Sequence, residues 1–223
     1  MSDLKPAPDR TQRALARQVS EGATRWSRRP PWVASRARPP GSLPGVTRRE
    51  EIATNLAAVR DRIGRACAAA GRDPDEVTLV VVTKFHAVDD IGHLVELGVT
   101  DIGENKDQEA GAKVAELGAD VRAAVTVHFI GQLQTNKARH VVAYADCVQS
   151  VDRPKLVGAL DRAVAARASE SGGGSGRLDV LLQVDLGEGE DAGRGGILPA
   201  DLMDLADAVA QTDHLALRWL MAV

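Results

Sequence analysis

The stretch VTLVVVTKFHAV, residues 77–88, carries an apolar run that ends on Thr83 and Lys84, with Phe85 and His86 directly after. A lysine at the end of a buried strand has two uses. It can lay its stem along apolar surface and keep its ammonium in water. Or an apolar wall can disfavour the charged form, whose ordinary pKa is near 10.4, and leave a neutral amine. A neutral amine condenses with an aldehyde or ketone to a Schiff base. Further along, Glu104 and Asn105, His128 and Asp185 also stand at or near the ends of apolar runs. Polar residues repeated at the ends of strands are the pattern of a reactive barrel mouth.

The elements that must position them begin at Thr47. Thr47 and Glu50 have capping-box spacing, and Ile52, Leu56, Val59, Ile63 and Cys67 follow at helical spacing up to Gly71 and Pro74. Strand-like and helical segments then alternate. Strands are expected over 77–84, 99–105, 125–131, 146–151, 178–187 and 214–223, and helices over 89–98, 106–118, 135–145, 153–170 and 198–212. SGGGSG (171–176) reads as a flexible linker. The strands are apolar nearly throughout, as in a parallel sheet covered on both faces. Regular β-then-α repetition leaves an open doubly wound sheet or a (β/α)8 barrel. The doubly wound reading favours a glycine-rich turn after the first strand. TKFHAVDD stands there instead, so the barrel is the expected architecture, with six strands countable.

Six segments, VVVTKFHAVDDI, IGENKDQEAGAKV, VHFIGQLQTNKARHV, VQSVD, LLQVDLGEGEDAGRGGI and LRWLMAV, follow in this order. Together they resemble the pyridoxal-phosphate homeostasis protein family (YggS/PROSC-type) over about residues 47–223. The resemblance implies a (β/α)8 TIM-type barrel related to the alanine racemase N-terminal domain, here with about six of eight strands. It also implies pyridoxal 5′-phosphate (PLP) held as an aldimine of Lys84. Asn105 then has two readings, a hydrogen bond to the cofactor ring or its hydroxyl, or a cap on the next helix. His128 is a ring contact or a satisfied core residue. Gln134, Thr135, Asn136 and Lys137 line the rim or cap a helix. Asp185, Glu188, Glu190, Asp191 and Arg194 form a solvated charge run or a lid. Met221 contacts the cofactor at the mouth or belongs to the core. The sequence departs from the family at Val127, where a tryptophan is usual. The family also continues past the position of Val223 with an SMGMS-like strand and an R.G-like strand that cradle the phosphate. No residue here is assigned to the phosphate by motif. A chain missing those strands is expected to bind PLP weakly and to expose two apolar strand edges.

Composition narrows the rest. A net charge of −3 argues against a dedicated nucleic-acid binder. Two cysteines, Cys67 and Cys147, give no disulfide framework, which points to a reducing cytoplasm. The sequence shows no membrane span and no metal-ligand spacing. Residues 1–45 carry nine basic residues against three acidic ones, with five prolines between positions 30 and 44. They read as a disordered basic leader, and 46–223 as the barrel domain, incomplete at its C-terminus. Trp26 and Trp32 among arginines are also residue types that stack on RNA. The family resemblance implies a cytoplasmic PLP carrier, monomeric if complete, that passes cofactor to PLP-dependent apo-enzymes without robust turnover. A racemase acting on small amino acids is the enzymatic alternative, and it needs a second acid/base that no segment here is long enough to bring as a domain. A Schiff-base aldolase is more remote. The third reading is a family member that does not bind the cofactor.

Overall fold

The computed structural model describes residues 46–170, 176–187 and 195–223. The leader expected over 1–45, most of the linker, and Glu188, Glu190, Asp191 and Arg194 lie outside the described residues.

Helix α1 (Arg48–Ala70) opens on the predicted capping box. The Thr47 backbone N–H donates to Glu50 Oε2 at 2.7 Å, and Glu50 N–H donates to Thr47 Oγ1 at 3.3 Å. It ends on Gly71 at φ 64°, where the Arg72 N–H reaches back to the Cys67 carbonyl at 2.9 Å. Five β/α steps follow in chain order. They are β1 (Val81–Val82), α2 (Val88–Glu96), β2 (Asp101–Glu104), α3 (Asp107–Glu116) with a short α4 (Ala119–Ala124), and β3 (Thr126–Phe129). Then come α5 (Ala138–Val142), β4 (Cys147–Val151), α6 (Pro154–Glu170), β5 (Leu178–Gln183), α7 (Leu202–Ala210) and a last strand, β6 (Leu215–Met221).

The six strands form one parallel sheet in the order β1-β2-β3-β4-β5-β6. A doubly wound sheet reverses direction at a switch point. Here each strand is laid beside its predecessor on the same side, which is the winding of a barrel wall. Among the described residues the sheet is not closed, since β1 pairs only with β2 and β6 only with β5.

One face of the wall is sealed by helices. Ile102, Val127, Phe129, Val148, Val180 and Leu182 of the strands are buried with Ile91, Ala110, Val141, Leu156, Leu160 and Leu205 of the helices. Burying each Val, Leu, Ile or Phe among them contributes about 1.5–3 kcal/mol. The opposite face is polar. Asp101, His128, Gln149, Asp179 and Arg218 share it, linked as His128–Asp101, Gln149–His128 and Arg218–Asp179 pairs.

Burial departs from expectation at both ends of the sheet. Only Val81 and Val82 of the run 77–84 are strand-paired, opposite Ile102 and Gly103. Val82 and Trp219 are exposed, so β1 and β6 are not covered on both faces. Helix α4 was not signalled, since six residues after Gly118 carry too short a pattern. Both cysteines are buried and free, as expected. Burial, with Asp179 and Asp146 nearby, pushes the Cys147 thiol up to about 12. Among the described residues no helix is long and apolar enough to cross a membrane, and no cluster has the makings of a metal site.

Candidate functional site

Lys84 stands just beyond β1 at the C-terminal edge of the sheet, half-buried. Thr83 turns to the helix side, where its Oγ1 donates to Glu104 Oε1 at 2.6 Å. Alternation therefore leaves Lys84 on the open face with Val82. Among the described residues no hydrogen bond or ion pair engages its ammonium.

The peptide on either side of Lys84 is held tightly. Phe85 adopts φ 66°, a left-handed conformation costing a non-glycine residue about 1–2 kcal/mol. Its N–H donates to Glu109 Oε1 at 2.6 Å. That bond holds the Glu109 carboxyl below its ordinary range against partial burial, with Lys113 adding to the effect. Lys113 Nζ directs donors at three acceptors, Thr83 O at 2.8 Å, Glu104 Oε1 at 2.8 Å and Glu109 Oε1 at 3.3 Å. An ammonium has three donors, and all are used. Glu104 is fully buried and Lys113 only 7 % exposed, so this is an interior ion pair. Buried charges persist only with such partners.

Asn105 follows β2 on the next strand end. Its Oδ1 is buried and has no partner among the described residues. The chain returning from β3 presses on it, and a Cβ at Gly131 would lie 2.2 Å from the Asn105 carbonyl oxygen. His128 sits lower. It is in register with Gly103, two residues or roughly 7 Å below Asn105. Its Nε2–H donates to Asp101 Oδ1 at 2.9 Å, and Gln149 Nε2 donates to its Nδ1 at 3.0 Å. Both ring nitrogens are thus committed.

A cleft of about 740 Å³ opens at the same rim, lined by Asn105, Lys106, Asp107, Gln132, Gln134, Lys137 and Arg153 among others. Thr135 and Lys137 belong to a 3-10 turn there. Lys137 Nζ lies 3.9 Å from Asp107 Oδ2, and Thr135 Oγ1 accepts from Arg153 at 3.3 Å. Lys106 Nζ lies 4.3 Å over the exposed Phe85 ring. Burial and the Asp107 carboxylate push the Tyr144 phenol up.

The fold therefore brings Lys84 and Asn105, just past the ends of β1 and β2, beside His128 of the adjacent β3. Met221 is not with them. It is at the end of β6, in register with Gln183, on the opposite edge of the described sheet. Asp185 carries the start of its loop, where its Oδ1 accepts from the Gly187 N–H at 2.9 Å. Sequence reasoning missed Glu109, Lys113 and the burial of Glu104. A signal existed, because Lys113 falls between Ala110 and Val114 on the buried stripe of α3.

Residues 54–223 match the family described as alanine racemase, N-terminal domain. The pyridoxal phosphate homeostasis protein of Mycobacterium tuberculosis (strain ATCC 25618 / H37Rv) is 38% identical over 184 residues, covering 79% of this chain and 71% of the relative. That of Pseudomonas aeruginosa is 43% identical over 173 residues, covering 77% and 70%. The structure of PipY of Synechococcus elongatus PCC7942 with PLP bound superposes with a TM-score of 0.60 at 34% identity, over 77% of this chain and 70% of PipY. An open wall of parallel β/α units with a lysine past its first strand, matched at this identity and coverage, places the chain in one group: it belongs to the pyridoxal phosphate homeostasis protein family, built on the alanine racemase N-terminal domain fold.

Proposed function

We propose that this chain binds PLP covalently through Lys84 and serves to hold and deliver the cofactor inside the cell, without catalytic turnover of its own. The observation that carries the reading is the placement of Lys84, a half-buried lysine without an ion pair among the described residues, just past β1 at the C-terminal rim of the sheet. The cofactor supplies an aldehyde, which condenses with a deprotonated lysine amine and releases water. The chain's part is to present that amine. PLP bound in PipY supports the choice of ligand.

The other residues fit around it. The buried, unpartnered Oδ1 of Asn105 is an acceptor suited to an O–H or N–H of the ligand. His128, held at both nitrogens, offers a fixed wall rather than a mobile proton carrier. Met221 borders the open face from the far edge of the sheet. Turnover on an amino acid would call for a second acid/base facing Lys84. Among the described residues Tyr144 is bonded to Asp107, and the Cys147 thiol is buried, which pushes its pKa up to about 12. This arrangement favours a carrier over a racemase. PLP-dependent apo-enzymes are the recipients this role requires.

The test is reductive trapping. The protein is incubated with PLP, reduced with borohydride, digested and mapped by mass. The added mass is expected on Lys84, and Lys84→Ala is expected to abolish the visible absorbance of the adduct with helix content unchanged. Added mass on Lys106, Lys113 or Lys137 instead would overturn the assignment. Racemisation of alanine by the loaded protein would overturn the carrier reading.

A further inference from the structure

The backbone around Lys84 is gripped on both flanks by one helix. Lys113 Nζ takes the carbonyl of Thr83, the residue before Lys84, at 2.8 Å. Glu109, one helical turn away on α3, takes the N–H of Phe85, the residue after it, at 2.6 Å. The two side chains also bond each other, and Glu104 anchors Lys113 from β2. Strand pairing reaches only as far as Thr83, whose N–H donates to the Gly103 carbonyl at 3.0 Å, and the His86 N–H closes the following turn onto the Thr83 carbonyl at 3.1 Å. Phe85 is held at φ 66°, which a bulky residue does not adopt unaided.

We infer that Glu109, braced by Lys113 and Glu104, is a positioning residue for Lys84: its carboxylate enforces the left-handed turn at Phe85 that keeps the Lys84 amine on the open face of the sheet. Glu109 does not touch the ligand in this scheme. Its action passes through the Phe85 amide, so the lysine is pre-set before any aldehyde arrives. Pre-setting a reacting group raises the rate at which it meets its partner. The inference rests on the reading of Lys84 as the PLP-bearing residue, although the clamp itself can be tested without PLP.

The experiment uses the full chain and four variants: Glu109→Ala, Glu109→Gln, Phe85→Gly and the Phe85→Gly/Glu109→Ala double. Two quantities are read, the exchange rate of the amide at position 85 and the rate of PLP adduct formation at Lys84. Losing one charge-assisted hydrogen bond corresponds to about a ten- to hundredfold change in an equilibrium. Glu109→Ala is expected to lose at least about tenfold of amide protection and to slow adduct formation by a similar factor. Glu109→Gln keeps an acceptor oxygen and is expected to lie near the parent protein. Phe85→Gly removes the backbone strain, so it should restore adduct formation in the Glu109→Ala background, a rescue that a purely structural role for Glu109 does not give. Unchanged amide protection in Glu109→Ala overturns the clamp, and so does failure of the glycine to rescue. If the parent protein forms no adduct at Lys84, the PLP reading falls. The amide exchange of Glu109→Ala then still decides the clamp.

Discussion

Replacing Lys113 with methionine isolates the energetics beneath the site. Methionine keeps most of the stem's packing and removes the charge. It leaves Glu104, fully buried, with the Thr83 hydroxyl as its remaining donor, and it strips the Thr83 carbonyl of its side-chain partner. Breaking a buried pair by removing one member costs about 3–5 kcal/mol. For a domain of this size each kcal/mol moves the midpoint by about 2–4 °C, so a loss of roughly 10 °C is expected. Removing both charges is a different matter. Glu104→Met/Lys113→Met strands no ion and leaves the Thr83 hydroxyl short of a partner, while the Thr83 carbonyl keeps the His86 N–H at 3.1 Å, a cost of about 1–3 kcal/mol. The double variant should therefore be more stable than Lys113→Met, with a coupling energy of about 2 kcal/mol or more. Urea unfolding of the parent, both single variants and the double, followed by far-ultraviolet circular dichroism at pH 7, measures this directly. Additive losses, or a Lys113→Met variant within about 1 kcal/mol of the parent, would refute the interior ion pair.

Gly131→Ala should cost about 1–3 kcal/mol and weaken PLP binding, because its Cβ would strike the Asn105 backbone at 2.2 Å; thermal melting and a PLP titration of the same sample check both. Asp90 gives a pH signature. Its carboxyl accepts from Arg48 Nε and a terminal guanidinium nitrogen at 3.0 and 2.7 Å, and chiefly that bond holds its pKa below the ordinary 3.8. A depressed carboxylate stabilises the fold above its unfolded value, and that stabilisation is lost as pH falls through the lowered native value. Asp90→Asn should thus lose about 1 kcal/mol at pH 7, allowing for a half-exposed Arg48, and the gap to the parent should close as the pH drops below 3.8, read from melts across that range.

The fold was legible because its signals are local. The capping box at Thr47 and Glu50 and the apolar runs at Ile102, Val127, Val148 and Val180 need no distant information. The order of the strands followed from what was missing after β1, a glycine-rich turn. The partners of the site were another matter. His128 is satisfied by residues 27 and 21 positions away, and Phe85 by one 24 positions away. Only the winding of the sheet brings these together. Lys113 carried the one readable hint, a lysine on a buried helical stripe, and its three acceptors are spread over residues 83 to 109. Met221 was legible as belonging to the sixth strand, but not its distance from Lys84, since the described sheet is open between β1 and β6.

The topology also explains why the helix after β2, and not the sheet, holds the lysine after β1. In a wall built by adding each β/α unit beside the last, α3 packs behind the strands that flank it. Its first turns lie at the C-terminal rim, level with the end of β1. A side chain from that turn reaches the peptide following β1 without crossing another element, as Glu109 and Lys113 do. The ladder cannot substitute, because its last backbone bond is from the Thr83 N–H to the Gly103 carbonyl and Lys84 lies beyond it. A position past the end of the strand leaves the amine free to reach the open face, and it also removes the strand's restraint. Buried charge supplies the missing restraint, at the desolvation cost of Glu104 and Lys113. The buried Glu104–Lys113 pair and the candidate reactive lysine are adjacent for that reason: the position that frees the side chain for chemistry is the one at which the backbone needs a second support.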